Sequence, residues 1–191
     1  FESAHLDGKA LYVAQANTLN PADTARNLHF ESITKFDAIV RTYDRSGIRY
    51  GYHYYDRDDH GSVPMIAEYD ALRFIFDGYK VPLQRVMEEP ALLTRHFEDV
   101  SKRLGATFRP SEGMLRLFGL VSMAQDTAKA IEFGEMRVEL YPGSARAYEA
   151  LGDLWAAKGE AEKARSLYEQ ALARNGGDPR VQEKLGKLGS G

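Results

Sequence analysis

The stretch YYDRDDHGSVP, Tyr54 to Pro64, sets Asp56, Arg57, Asp58, Asp59 and His60 on one glycine turn. Three chemistries suit these residue types. Asp56, Asp58 and His60 fall at alternate positions with Gly61 at the bend, as in a calcium loop. Such a loop wants an oxygen ligand where His60 stands and a bidentate glutamate where Ala67 stands, and both fail. A transition metal would need His53 and His60 together, yet His53 sits on a strand beside Tyr52 and Tyr54, which face the other way. His5, His29 and His96 stand isolated in the sequence. The reading therefore expects no metal. The third chemistry is proton transfer. An imidazole titrates near neutrality, so His60 can take a proton from a hydroxyl and return it to a leaving group. Against this stands a plain alternative, a polar turn that solvates a strand end, with Gly61 enabling the bend. By spacing alone the two are level.

The elements around the turn decide where His60 would sit. KALYVAQAN, Lys9 to Asn17, follows an Asp7-Gly8 turn signal and is rich in strand formers. The next segment reads as a helix capped by Asp23, with Leu28, Ile33, Phe36, Ile39 and Val40 on its apolar face. IRYGYHYY is a second strand, and strand, helix, strand over about 45 residues is the size of a βαβ unit with adjacent parallel strands. In open α/β sheets reacting groups gather beyond the carboxyl ends of the strands, which is where His60 falls. Parallel sheets normally have more than two strands. The missing strands are expected upstream of Phe1 or in another copy of the chain. With no initiator methionine, the chain reads as a piece of a longer protein.

After the turn, MIAEYDALRFIFDGYK reads as an apolar helix, and from Glu89 onward only helices are expected. They cover 89–105 and about 112–123, 126–140, 145–157, 160–174 and 179–188. Within them, Tyr148, Leu151, Gly152 and Trp155, then Ala164, Tyr168 and Ala171, reproduce tetratricopeptide spacing. Small residues at Gly152 and Ala164 would let two antiparallel helices approach closely. A shift of 34 residues backwards lands Met114, Leu117 and Ala130 on Tyr148, Leu151 and Ala164, a degenerate copy whose Gly119 and Phe133 miss register by one. Asp178-Pro179 opens a capping helix.

The stretch YYDRDDHGSVPMIAEYDALRFIFDGYK resembles the C-terminal part of an esterase family of α/β hydrolases, with esterase D-like and siderophore-esterase branches. The resemblance lies in an H-x-S-V-P turn, an apolar helix and a Phe-Asp-Gly-Tyr segment; a helical, tetratricopeptide-like tail follows in some members. It implies an α/β fold: the C-terminal portion of an α/β-hydrolase sheet in residues 1–85, then an all-α tail in 86–191. It also implies that His60 is the general base, with Ser62 and Val63 shaping its turn. No G-x-S-x-G elbow occurs, so the nucleophile and oxyanion donors are expected upstream of Phe1, and the chain alone is expected to be inactive. Asp23 is the candidate triad acid, Asp58 and Asp59 are its rivals, and a Ser-His dyad is the remaining option.

Composition narrows the partners. A formal charge of −3 leaves no electrostatic footprint for nucleic acid, and no apolar run approaches the roughly 18 residues that span a bilayer. Without cysteine there is no thiol nucleophile or thiolate metal site, and that absence suits any compartment. The expected activity is hydrolysis of a small carboxylic ester through an acyl-serine intermediate, without metal or organic cofactor. An exposed sheet edge predicts a homodimer. The alternative is a non-catalytic module whose helical tail binds a protein partner or drives dimerisation.

Overall fold

The structure is a computed structural model that describes residues 6–22, 27–43 and 47–188. It divides into two compact units: residues 1–80 with 98–108, and residues 81–97 with 109–191.

The first unit is built on two strands, β1 (Ala10–Ala16) and β2 (Arg49–Tyr55), joined through α1 (Leu28–Thr42). The strands pair in parallel, in register from Ala10 opposite Arg49 to Ala16 opposite Tyr55. Alternation along them sends two different sets of side chains to the two faces. On one face Gln15, Tyr50, Tyr52 and Tyr54 meet α1. Gln15, buried to 1 % exposure, donates through Nε2 to the Phe30 carbonyl at 3.0 Å and accepts from Tyr52 Oη. Tyr50 Oη donates to Asp37 at 2.9 Å, and Phe30 stands edge-on to Tyr54. Burial, and then the bond to Asp37, push the Tyr50 phenol up to about 12.

On the other face Tyr12, Ala14, Ala16, Gly51 and Tyr55 meet α2 (Val63–Ile75). Phe74 packs on Tyr12 with ring centroids 5.5 Å apart, while Val63 and Ala67 close over Ala14, Ala16 and Tyr55. Tyr55 Oη donates to Asp70 at 2.9 Å. Gly51 is a packing requirement, since a Cβ there would lie 3.0 Å from both Phe74 and Tyr12. Each face of this small sheet thus carries one helix, as parallel pairing demands.

The expectation of an α/β-hydrolase sheet is overturned. Among the described residues there are two strands against nine helices, and the sheet has no third strand. The period of two ends at Tyr55, and every later apolar pattern has the spacing of a helix.

The second unit is helical. After α3 (Leu83–Glu88), α4 (Ala91–Leu104) contributes its first half here, and α5 (Glu112–Met123), α6 (Thr127–Leu140), α7 (Ala145–Ala157), α8 (Ala161–Asn175) and α9 (Pro179–Lys187) follow. Their starts are written in side chains. Ser111 accepts from Met114 N–H, Asp126 from Ala128 and Lys129 N–H, Ser144 from Ala147 N–H, and Asp178 from Arg180 N–H. Loops of three residues between α5 and α6, and between α7 and α8, make each pair an antiparallel hairpin. In the second hairpin Tyr148, Ala164, Tyr168 and Ala171 form a core with Val181 of α9, and Trp155 packs against its side. Gly152 lets the helices close, because a Cβ there would sit 2.6 Å from the Tyr168 ring. Tyr168 Oη then donates to Asp153 at 2.8 Å. An ion pair between the buried Arg137 and the partly exposed Glu112 ties the hairpins together. Glu112 Oε1 accepts from Arg137 Nη2 at 2.6 Å and from Ser144 Oγ at 2.6 Å, joining α5, α6 and the cap of α7.

Among the described residues no helix is long and apolar enough to cross a membrane.

Candidate functional site

The site begins where the sheet ends. Tyr55, the last residue of β2, is buried, and the chain leaves it into the turn 56–62. Two bonds from Asn17, the residue after β1, sew that turn to the neighbouring strand. Its backbone N–H donates to the Asp58 carbonyl at 2.7 Å, and its Nδ2 donates to the Asp56 carbonyl at 2.8 Å.

The far side of the turn is fixed by Asp59. Its Oδ1 accepts from Gly61 N–H at 2.8 Å and Ser62 N–H at 3.1 Å. Its own N–H donates to Ser62 Oγ at 3.1 Å, and its carbonyl accepts from Val63 N–H at 3.0 Å. This reciprocal arrangement opens α2, with Pro64 in the first turn of the helix. The amide of Gly61, then that of Ser62, holds the Asp59 carboxyl below the usual range. Asp59 is therefore a structural cap.

Between these two anchors His60 is exposed, beyond the carboxyl end of β2. Among the described residues no side chain hydrogen-bonds its ring. Asp58 contributes its backbone to Asn17, and Asp59 is spent on amides, so neither rival acid orients the imidazole. Asp23 lies outside the described residues.

The neighbour that sequence spacing did not suggest is His29. It stands in the first turn of α1, exposed, with its ring centroid 5.7 Å from that of His60 and the planes tilted by 44°. The signal was available in the topology. In a βαβ unit the start of the helix after one strand and the turn after the next lie at the same edge of the sheet. His53 packs instead on Tyr55, with ring centroids 4.4 Å apart. Among the described residues no three histidine or acidic side chains converge as a metal site.

Chemically, the arrangement offers an exposed imidazole on a turn pinned at both ends, with a second imidazole alongside. It provides a proton acceptor and donor. It provides neither a nucleophile nor a set of oxyanion donors.

No family model matches the chain, and no curated protein matches it. Its fold is similar to the crystal structure of an uncharacterised protein from Capnocytophaga ochracea DSM 7271, with a TM-score of 0.59 and 14 % sequence identity. The match covers 95 % of this chain and 53 % of that one, so the chain spans about half the length of the structure it resembles. At this identity the likeness concerns the fold alone.

Proposed function

We propose that the chain supplies the general base of a serine esterase, with His60 taking the proton from a serine hydroxyl that a segment outside this chain provides. The imidazole would return that proton to the departing alcohol, and water would then release the acyl group from serine by the same route. The observation that carries this reading is the presentation of His60: exposed, beyond the end of a parallel strand, on a turn held by Asn17 on one side and the Asp59 cap on the other. The likeness of Tyr54–Lys80 to the C-terminal stretch of the esterase family supports it further. A small carboxylic ester is the substrate class.

The test is turnover of an activated acyl ester by the protein in which this chain is joined to its serine-bearing segment. His60→Gln is expected to lower kcat by about 10³-fold or more while the protein stays folded. The chain by itself is expected to be inert. Turnover that survives His60→Gln intact would remove the reading.

A groove in the helical unit favours a second reading, a tetratricopeptide-like module that binds a protein partner. The groove has a volume of about 350 Å³ and is lined by Leu115, Gly119, Leu120, Met123, Leu151 and Leu154. Leu120 and Met123 are half-exposed along it. Partner capture abolished by Leu120→Asp, with ester turnover absent in every form of the protein, would select this reading over the first.

A further inference from the structure

At the amino ends of β1 and β2 lies a cavity of about 480 Å³, bordered by Asp7, Lys9, Arg49, Asp99, Lys102 and Arg103. Ala10 and Arg49 open the two strands there, whereas His60 follows their closing residues. Six steps of about 3.3 Å separate the two ends, so this cavity is roughly 20 Å from the imidazole pair.

Arg103 is the unusual member. Its Nε and Nη2 are buried and make no hydrogen bond with any of the described residues. These two atoms form one edge of the guanidinium, where parallel N–H bonds match two oxygens of a phosphate or carboxylate. Buried charged donors are nearly always paired, so an orphaned edge points to an acceptor that completes it. Neither Asp7 nor Asp99 does so, although both border the cavity. Arg49 is committed elsewhere. Its Nη2 donates to the Ile75 carbonyl, and its guanidinium lies 4.6 Å from the Phe74 ring centre. Lys9 and Lys102 are exposed at the rim. Gly78, at a φ of +69°, makes room for the arginine, since a Cβ there would lie 2.7 Å from Nη1.

We propose that this cavity binds a small phosphate-class oxyanion, gripped by the Nε/Nη2 edge of Arg103 and neutralised by Lys9 and Lys102. The edge is closed to water, so the proposed binding includes a turn of the guanidinium toward the cavity. A phosphate is favoured over a carboxylate because the cations must also outweigh Asp7 and Asp99, which a dianion achieves better than a monoanion. This inference stands apart from the ester-hydrolysis reading and uses none of its residues.

Calorimetric titration of the chain with inorganic phosphate, at ionic strength held constant with chloride, tests it, with acetate titrated in parallel. Saturable phosphate binding is expected, weakened about 10-fold or more in Arg103→Met and about 3-fold in Lys102→Ser. Thermal melts of each variant check folding; if Arg103→Met does not fold, Lys102→Ser decides. Absence of saturable binding, or binding unchanged in the folded variants, overturns the proposal. Acetate binding more tightly than phosphate overturns it as well, and assigns the cavity to a carboxylate.

Discussion

The imidazoles of His29 and His60 face each other across 5.7 Å, although 30 residues separate them in the chain. One rides on the first turn of α1, and the other on the turn that leads into α2. The pair therefore reports on the whole carboxyl edge of the sheet. In the chain alone, His29→Ala is expected to move the ring-proton resonances of His60 without altering the melting temperature appreciably, because both rings are exposed. Resonances that stay in place would mean that the rings are not apposed in solution. In the ester-hydrolysis reading the same substitution lowers kcat/KM by about 10-fold at most, against the far larger loss in His60→Gln.

Two glycines in the helical unit should respond in opposite senses to the same change. A methyl at Gly152 would lie 2.6 Å from the Tyr168 ring, so Gly152→Ala must push α7 and α8 apart. A loss of about 1–3 kcal/mol is expected. Gly113 lies in the first turn of α5 and a Cβ there would meet nothing within 4 Å. Gly113→Ala should therefore stabilise by about 0.5–1 kcal/mol, through the restricted freedom of the unfolded chain. Urea titrations of both variants measure the two shifts together, and equal signs would contradict the packing.

Acid should find its weak point at Glu112. The bond from Ser144 first, and Arg137 next, hold its carboxyl below the usual glutamate range. A depressed folded pKa means stability that is fully present above the unfolded value, about 4.3, and is lost as pH falls through the folded value. Glu112→Gln removes that dependence and leaves Arg137, 6 % exposed, without its counter-charge. Glu112 is itself about a third exposed and so partly screened by solvent, and a cost of about 1–2 kcal/mol at neutral pH is expected, shrinking as pH drops below 4. Thermal melts of wild type and variant from pH 7 to pH 3 check this; curves that stay parallel would show that the pair does not govern acid stability.

Local patterns carried most of what the sequence disclosed. The strand formers in ALYVAQA and RYGYHYY, with a helix between them, give a parallel pair, and the helix starts read near 112, 126, 145 and 179 fall within a residue of those observed. Fold class failed for a physical reason. How many strands join a sheet depends on contacts between distant segments, and one βαβ unit contains no record of that number. The bend at His60 was legible in Gly61, but the cap was not: Asp59 reads in the sequence as a rival acid, and only the amides of Gly61 and Ser62 show it spent on the backbone. His29 was not, since only the topology brings it to the same edge. Arg103 was hidden likewise, as one basic residue at the end of an amphipathic helix among others of its type.

The turn that carries His60 has no slack. Seven residues join the buried end of β2 to the buried Val63 that opens α2, and bonds at both sides use up their freedom. The imidazole is thus geared to the helix behind it. A residue added or removed between Tyr55 and Val63 would have to rotate α2 against the sheet or pull the ring out of line. Length, more than composition, should be what natural variants of this segment preserve.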